Sequence, residues 1–215
     1  MGQATRRREP AARQPQQRAV ETRERLVDAA LEVFASHGFE GATTREISRR
    51  AGVALAALPY HFTTKEELWK AAADRIFGLL GAHFEAHQRD MAEADPRSRL
   101  QILLREFVRF SAKHPQLHRF MLQEGTDRGE RLAWLVGTHV RPLYRAAVRL
   151  IEEGQAHGFL VEGRGEQLFY ALIGAASLPY AVAPEYQLLT RANPDSTRRV
   201  EDHVQFLLRL FQVDT

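Results

Sequence analysis

Residues 42–68 read ATTREISRRAGVALAALPYHFTTKEEL, and the fold follows from that stretch. Thr43 and Glu46 have capping-box spacing, in which the threonine hydroxyl accepts from the amide three residues on and the glutamate reaches back. Ile47 and Ala51 are one turn apart and share a face. Gly52 comes where a helix ends by entering the left-handed region, which glycine does without a Cβ penalty. Val53, Leu58 and Phe62 remain as apolar anchors for a second short helix. Thr63 and Glu66 repeat the capping spacing, and Leu68 and Trp69 begin a new apolar face. Two short helices joined by a glycine turn are the sequence form of a helix-turn-helix, whose second helix enters the DNA major groove.

Upstream, Thr22 to His37 carries Leu26, Ala30, Val33 and Phe34 on one face, and Gly38 stops it. With the helix-turn-helix this gives a three-helix DNA-binding domain over residues 20–68. Residues 22–70 resemble the N-terminal domain of the tetracycline-repressor (TetR) family of bacterial transcription regulators. The matching residues are Ala29, Phe34, Gly38 and Phe39; then Thr43, Thr44, Ile47 and Ala51-Gly52-Val53; then Leu58, Tyr60, His61, Phe62, Lys65, Glu66 and Leu68. They are specific as a set and in no case singly.

The resemblance implies an all-α homodimer with a variable C-terminal effector domain. It also implies phosphate contacts from Thr44 and Lys65, with Tyr60 and His61 at the end of the recognition helix. Thr43, Arg45 and Arg49 join them as candidates from the preceding helix. The recognition segment Ala54-Leu55-Ala56-Ala57-Leu58-Pro59 departs from the family, lacking its usual Ser, Lys and Thr, with Pro59 where an aromatic is common. Alanine and leucine side chains touch thymine methyls but form no hydrogen bonds to base edges. Weak direct readout is therefore expected, with Arg45, Arg49, Tyr60 and DNA shape carrying more of the specificity.

Charge favours this end of the chain. Residues 1–65 hold 11 Lys plus Arg against 7 Asp plus Glu, and residues 66–215 hold 19 against 20, within a net charge of +3. A positive balance there suits attraction to phosphates. Residues 1–19 are rich in Arg, Gln, Ala and Pro without a helical stripe and are expected to be disordered. This segment reads either as a solvated tail or as an arm whose Arg6, Arg7 and Arg8 reach the minor groove.

The chain lacks cysteine, which excludes disulfides, thiolate metal sites and cysteine nucleophiles. No run approaches a membrane span, and the charged N-terminus has no following apolar segment, so neither a span nor a signal peptide is expected; the resemblance implies a cytoplasmic bacterial protein.

Residues 69–215 read as a helical effector-binding and dimerisation domain, for about nine helices in all and no strand. Helices are expected from Thr63 or Thr64 to His87, Asp95 to Lys113, Pro115 to Glu124, Glu130 to His157 with a kink at Pro142, Gly165 to Ala181, and Ser196 to Gln212. The last two point to dimerisation through Leu168, Leu172, Ala175, Val200, Val204, Leu207, Leu208 and Phe211; on the last helix these and Leu210 make an apolar surface too broad for one partner. The alternative is that both helices close the monomer core.

An effector pocket for a largely apolar small molecule is expected among Phe84, Phe107, Phe110, Phe120, Met121, Trp134, His139, Tyr144, Phe169 and Tyr170. Arg105, Arg109, Gln123, Glu124 and Arg141 are candidate polar contacts.

The expected partners are a palindromic operator, an effector and a second copy of the chain, with no cofactor and no metal. Two other classes remain as alternatives. A metal-responsive regulator would use His83 and His87 or His114 and His118, each pair four apart, but no carboxylate completes either by spacing. A small enzyme in the C-terminal domain would lack every common catalytic motif, and none is expected.

Overall fold

Helix α1 opens at Pro15, where the missing amide of proline costs no helical bond, and runs to Gly41. The computed structural model describes residues 15–213. The helix thus starts inside the segment expected to be disordered, while Arg6, Arg7 and Arg8 lie outside the described residues. Gly38, at φ 67° and ψ 179°, breaks α1 and swings its last turn aside. The positive φ favours glycine; a Cβ there would stand 2.9 Å from Gln123 Oε1, a side-chain end that can turn aside.

After α1 come α2 (Thr44–Ala51), a 3₁₀ turn (Leu55–Ala57), α3 (Leu58–His61), α4 (Lys65–Glu85), α5 (Gln88–Glu93), α6 (Pro96–Lys113) and α7 (Gln116–Gly125). Helix α8 (Glu130–Leu135) passes through a wide turn (Val136–Val140) into α9 (Arg141–Ala156). The chain continues with α10 (Gly165–Ala181), α11 (Ala183–Thr190) and α12 (Thr197–Leu210).

The architecture is all-α, as expected, with two short helices, α5 and α11, beyond those read from the sequence. A kink was expected at Pro142; the departure from regular α-helix falls just ahead of it, where the Arg141 amide reaches back five residues to the Val136 carbonyl. Pro142, without an N–H, then lies in the first turn of α9.

Caps fix several boundaries. The Asp95 carboxylate accepts from the amides of Arg97 and Ser98 at 3.0 and 3.1 Å and starts α6 ahead of Pro96. The second capping box is one residue later than its expected place. Thr64 Oγ1 accepts from the Glu67 amide at 3.0 Å, and Glu67 reaches back to the Thr63 amide at 2.9 Å.

Two cores result. The first joins Leu26, Ala30, Val33 and Phe34 of α1 to Ile47, Leu58, Phe62, Leu68 and Trp69, and continues into Phe110, Phe120 and Leu135. Packing therefore runs without interruption across residues 68 and 69, where the two domains were expected to divide. The second core joins α6, α9, α10 and α12 through Leu104, Val108, Ile151, Leu168, Val204 and Leu207.

That second core corrects the expected dimer surface. Leu168, Val200, Val204, Leu207, Leu208 and Phe211 are buried within the single chain, and Leu172 and Ala175 pack half-buried against them. The apolar surface of α12 is broad because it has two faces, and those residues form the inner one. The outer surface of α10 and α12 shows Tyr170, Leu178, Phe206 and Leu210 instead, at 72%, 53%, 51% and 52% exposure.

Candidate nucleic-acid interface

Local rules build α2 as the sequence suggests. Thr43 Oγ1 accepts from the Glu46 amide at 3.2 Å. At the other end Gly52 adopts φ 62° and ψ 36°; its amide bonds the Arg49 carbonyl and the Val53 amide bonds that of Ser48. These crossed bonds satisfy the last carbonyls of α2 and redirect the chain. Ile47 and Ala51 are buried, which leaves Thr43, Arg45 and Arg49 exposed.

Only half of the first capping box forms. Glu46 turns outward instead of back: Oε1 and Oε2 accept from Arg49 at 2.7 and 2.8 Å, and Oε1 also accepts from Arg50 at 2.8 Å. The two arginines hold the Glu46 carboxyl down to about 2. Arg49, proposed from sequence as a base reader, is thus engaged along its own helix. Arg45 is exposed and makes no hydrogen bond or ion pair among the described residues.

The recognition segment is short. Ala54, Leu55 and Ala56 are exposed and Ala57 half-buried around the 3₁₀ turn. Pro59 is in the first turn of α3, where its missing amide costs nothing, so it starts the helix rather than breaking one. Leu58 and Phe62 anchor the segment in the core. Tyr60 projects from it at 89% exposure, its ring edge-on to His61 at 5.9 Å. An aromatic that exposed has its apolar face and its hydroxyl both free for a partner.

Lys65 folds back, its Nζ 4.6 Å from the Phe39 ring centroid and 3.5 Å from the Glu40 carbonyl. Arg131 approaches the same ring at 3.8 Å. Arg23, not singled out from sequence, places its guanidinium 4.8 Å over the Phe62 ring and ties α1 to the end of α3. Its signal, a basic residue on the polar face of α1, was too common to single out.

The expected effector residues do not surround one cavity. Phe110 and Phe120 are buried in the first core, with Phe84, Phe107, Met121 and Trp134 packed against it. Trp69 stacks on Phe120 at 5.3 Å and tilts against Trp134 at 5.7 Å. His139 stacks on Phe77 at 4.7 Å and meets Asp74 at 2.9 Å. Tyr144 and Phe169 form a separate edge-to-face pair at 4.9 Å, and Tyr170 points outward. An open cleft of about 480 Å³ lies instead between α1 and α4, lined by Arg23, Glu24, Val27, Asp74, Arg75 and neighbours, none of them expected.

The histidine pair near α7 is also not a site. His118 is buried against Ser111 at 3.1 Å, and burial pushes it down to about 4.

Comparison with known proteins agrees with this geometry. Residues 26–72 match the family described as bacterial regulatory proteins, tetR family. The chain is 24% identical over 136 residues to the probable HTH-type transcriptional regulator YttP of Bacillus subtilis, covering 63% of this chain and 66% of that protein. It is 47% identical over 60 residues to the HTH-type transcriptional regulator SrpR of Pseudomonas putida, covering 28% of each. The matched segment thus spans less than two thirds of either relative. Among solved structures, AibR in complex with isovaleryl coenzyme A and operator DNA superimposes with a TM-score of 0.70 at 16% identity, over 89% of this chain and 98% of that one.

Proposed function

We propose, from the match of residues 26–72 to the tetR family of bacterial regulatory proteins, that the chain is a homodimeric, effector-responsive DNA-binding regulator that represses transcription from a palindromic operator. The observation that carries this reading is the exposed surface of α2 and α3. Thr43, Thr44, Arg45 and Tyr60 project from short helices whose opposite sides are anchored in the core. Thr44, at the start of α2, offers a free first-turn amide to a phosphate. Tyr60 and Arg45 are the groups with the reach and freedom to touch bases or backbone. Ala54, Leu55, Ala56 and Ala57 supply close apolar contact, His61 and Lys65 further phosphate contacts, and Arg49 contributes after leaving Glu46.

A dimer places two such surfaces on half-sites one helical turn, ~34 Å, apart or more widely spaced. The surface for it is the outer face of α10 and α12, where Tyr170, Leu178, Phe206 and Leu210 leave apolar area in water. Pairing of these helices across a two-fold axis covers that area.

Support for an effector of largely apolar character comes from the half-buried aromatics Phe84, Phe107, Trp134, Tyr144 and Phe169 in the helices beyond α3. Effector binding then selects a dimer geometry in which the recognition helices no longer match the operator. The first core, shared by α1, α4 and α7, is the mechanical link. No enzymatic activity is part of this reading, and the protein acts in the cytoplasm; no described helix is long and apolar enough to cross a membrane.

The test is selection of binding sites from genomic DNA by the purified protein at near-physiological salt, then titration of the best site. A palindromic site bound about 10³-fold or more above random DNA is expected. Weak, steeply salt-dependent binding without a preferred sequence overturns specific regulation.

A further inference from the structure

His83 lies in the last turn of α4, and His87, four residues on, lies in the turn between α4 and α5. Their spacing gave no third ligand. The fold supplies one from α6: Glu106 brings Oε2 to 3.2 Å from His83 Nε2 and 3.5 Å from His87 Nε2. The three ligand atoms all lie within 4.8 Å of one another. Two ligands at ~2.05 Å from a tetrahedral ion stand about 3.3 Å apart. Both histidine-to-carboxylate distances already match that edge, and only the histidine-to-histidine distance must contract.

The surroundings orient these groups. The His87 ring places Nδ1 at 3.0 Å from the His83 carbonyl, which accepts its proton and leaves the Nε2 lone pair toward Glu106. Arg109 donates to Glu106 Oε1 at 2.7 Å and so turns Oε2 toward the imidazoles. The positive charge of Arg109 is matched by Glu201 at 3.0 Å, so the Glu106 charge is left to face a cation. In the metal-free state His83 Nε2 lies 3.1 Å from the Glu106 carbonyl and shares its proton between that oxygen and the carboxylate. A bound cation takes the Nε2 lone pair of the other tautomer: the Nε2 proton goes to solvent as Nδ1 takes one up, so the ring stays a neutral imidazole. Glu106 is 4% exposed, and a carboxylate that deep needs more than one partner.

We propose that His83, His87 and Glu106 form a binding site for a divalent transition-metal ion, with Zn²⁺ the best match to a two-imidazole, one-carboxylate set. The half-exposed histidine side leaves a fourth position for water. Imidazole nitrogens favour Zn²⁺, Co²⁺ or Ni²⁺ over Mg²⁺ or Ca²⁺. The ion crosslinks the end of α4 to the middle of α6, and Arg109 extends the link to Glu201 of α12. The inference does not depend on the effector being apolar or on DNA binding.

The experiment uses the full chain, stripped with chelator and titrated with Co²⁺ as a visible-spectrum probe, followed by displacement with Zn²⁺. One Co²⁺ per chain is expected, with the intense visible bands of a low-coordinate site. His83→Ala and His87→Ala should each weaken binding by roughly 100-fold, while His37→Ala and His157→Ala leave it unchanged. Absence of a stoichiometric site, or bands that survive both substitutions, overturns the proposal. Should the alanine variants fail to fold, X-ray absorption of the wild-type zinc complex decides. Two imidazoles with oxygen ligands support the site, and fewer than two imidazoles overturn it.

Discussion

Helices α2 and α12 are both amphipathic, but they finish their outer faces in opposite ways. On α2 the outer face is charged and closed in water: Glu46 is held between Arg49 and Arg50, and Arg45 stands in solvent. On α12 the inner residues Val200, Val204 and Leu207 are buried, yet Phe206 and Leu210 are still about half exposed on the outside. A charged face is complete in water and opens only to a polyanion that competes with its internal partner. An apolar face is incomplete until another apolar surface covers it, at ~25 cal/mol per Å² removed from water. The first is therefore a surface for reversible, salt-sensitive binding and the second a surface for lasting association.

The largest effect expected separates the two sides of α12. Leu207→Ala should lower stability in urea by about 2–5 kcal/mol, because it opens a cavity in the second core. Phe206→Glu with Leu210→Glu should leave that core intact but yield a monomer by light scattering at micromolar protein. A double variant that stays dimeric breaks the comparison, since the outer face would then not be the interface.

Acid sharpens the difference between surface and interior charge. Burial pushes His118 from 6.5 down to about 4. Above 6.5 both folded and unfolded forms are neutral and stability is full. As pH falls from 6.5 toward 4 the unfolded chain takes up the proton first, and about 3 kcal/mol is lost. His203 and His114, lowered by burial, act with the same sign. Glu124, raised by burial against the pull of Arg131, acts in the opposite direction. Urea unfolding at stepped pH should show this loss, and His118→Gln should flatten most of it. An unchanged slope in that variant contradicts the assignment.

On the outer face of α2, Arg45→Ala is expected to weaken operator binding by about tenfold, roughly 1.4 kcal/mol, with relaxed base preference. Tyr60→Ala should act similarly. If neither changes affinity or preference, recognition does not run through this surface.

Helices α2 and α12 also differ in how legible they were. The ends of α2 were visible because Thr43 and Gly52 act within a few residues of themselves, and the local rules sufficed. Two details slipped: Glu46 turns to Arg49 and Arg50 and does not reach back, and the next cap is Thr64, since two adjacent threonines face two adjacent glutamates. The inner and outer faces of α12 were not separable, because leucines occur on both and only α6 and α10 decide which side is the core. The effector residues failed for a similar reason: aromatic identity does not say whether a ring lines a cavity or fills a core, and Phe110 and Phe120 fill one. Glu106 was invisible as a ligand because its nearness to His83 and His87 exists only once α4 packs on α6.

The smallest effect on stability, and the sharpest probe of the charged face, is Glu46→Gln. The pair is on the surface, where solvent screens it, so the change should leave stability nearly unmoved. Its carboxyl, lowered to about 2, keeps its charge through the whole range in which the protein would bind DNA. What the pair contributes is fully present above 4.5 and is lost only as pH falls through about 2. At neutral pH, then, no proton opens the clamp, and only phosphate competition does. Glu46→Gln removes that competitor and frees Arg49, and leaves Arg50 with only its longer pair to Glu32 at 3.8 Å. Binding to random DNA should tighten, and the slope of log K against log salt should steepen by about 0.9 for each arginine that gains a phosphate. An unchanged slope would mean that the arginines of α2 never leave the helix surface, so Arg45 and Tyr60 work without them.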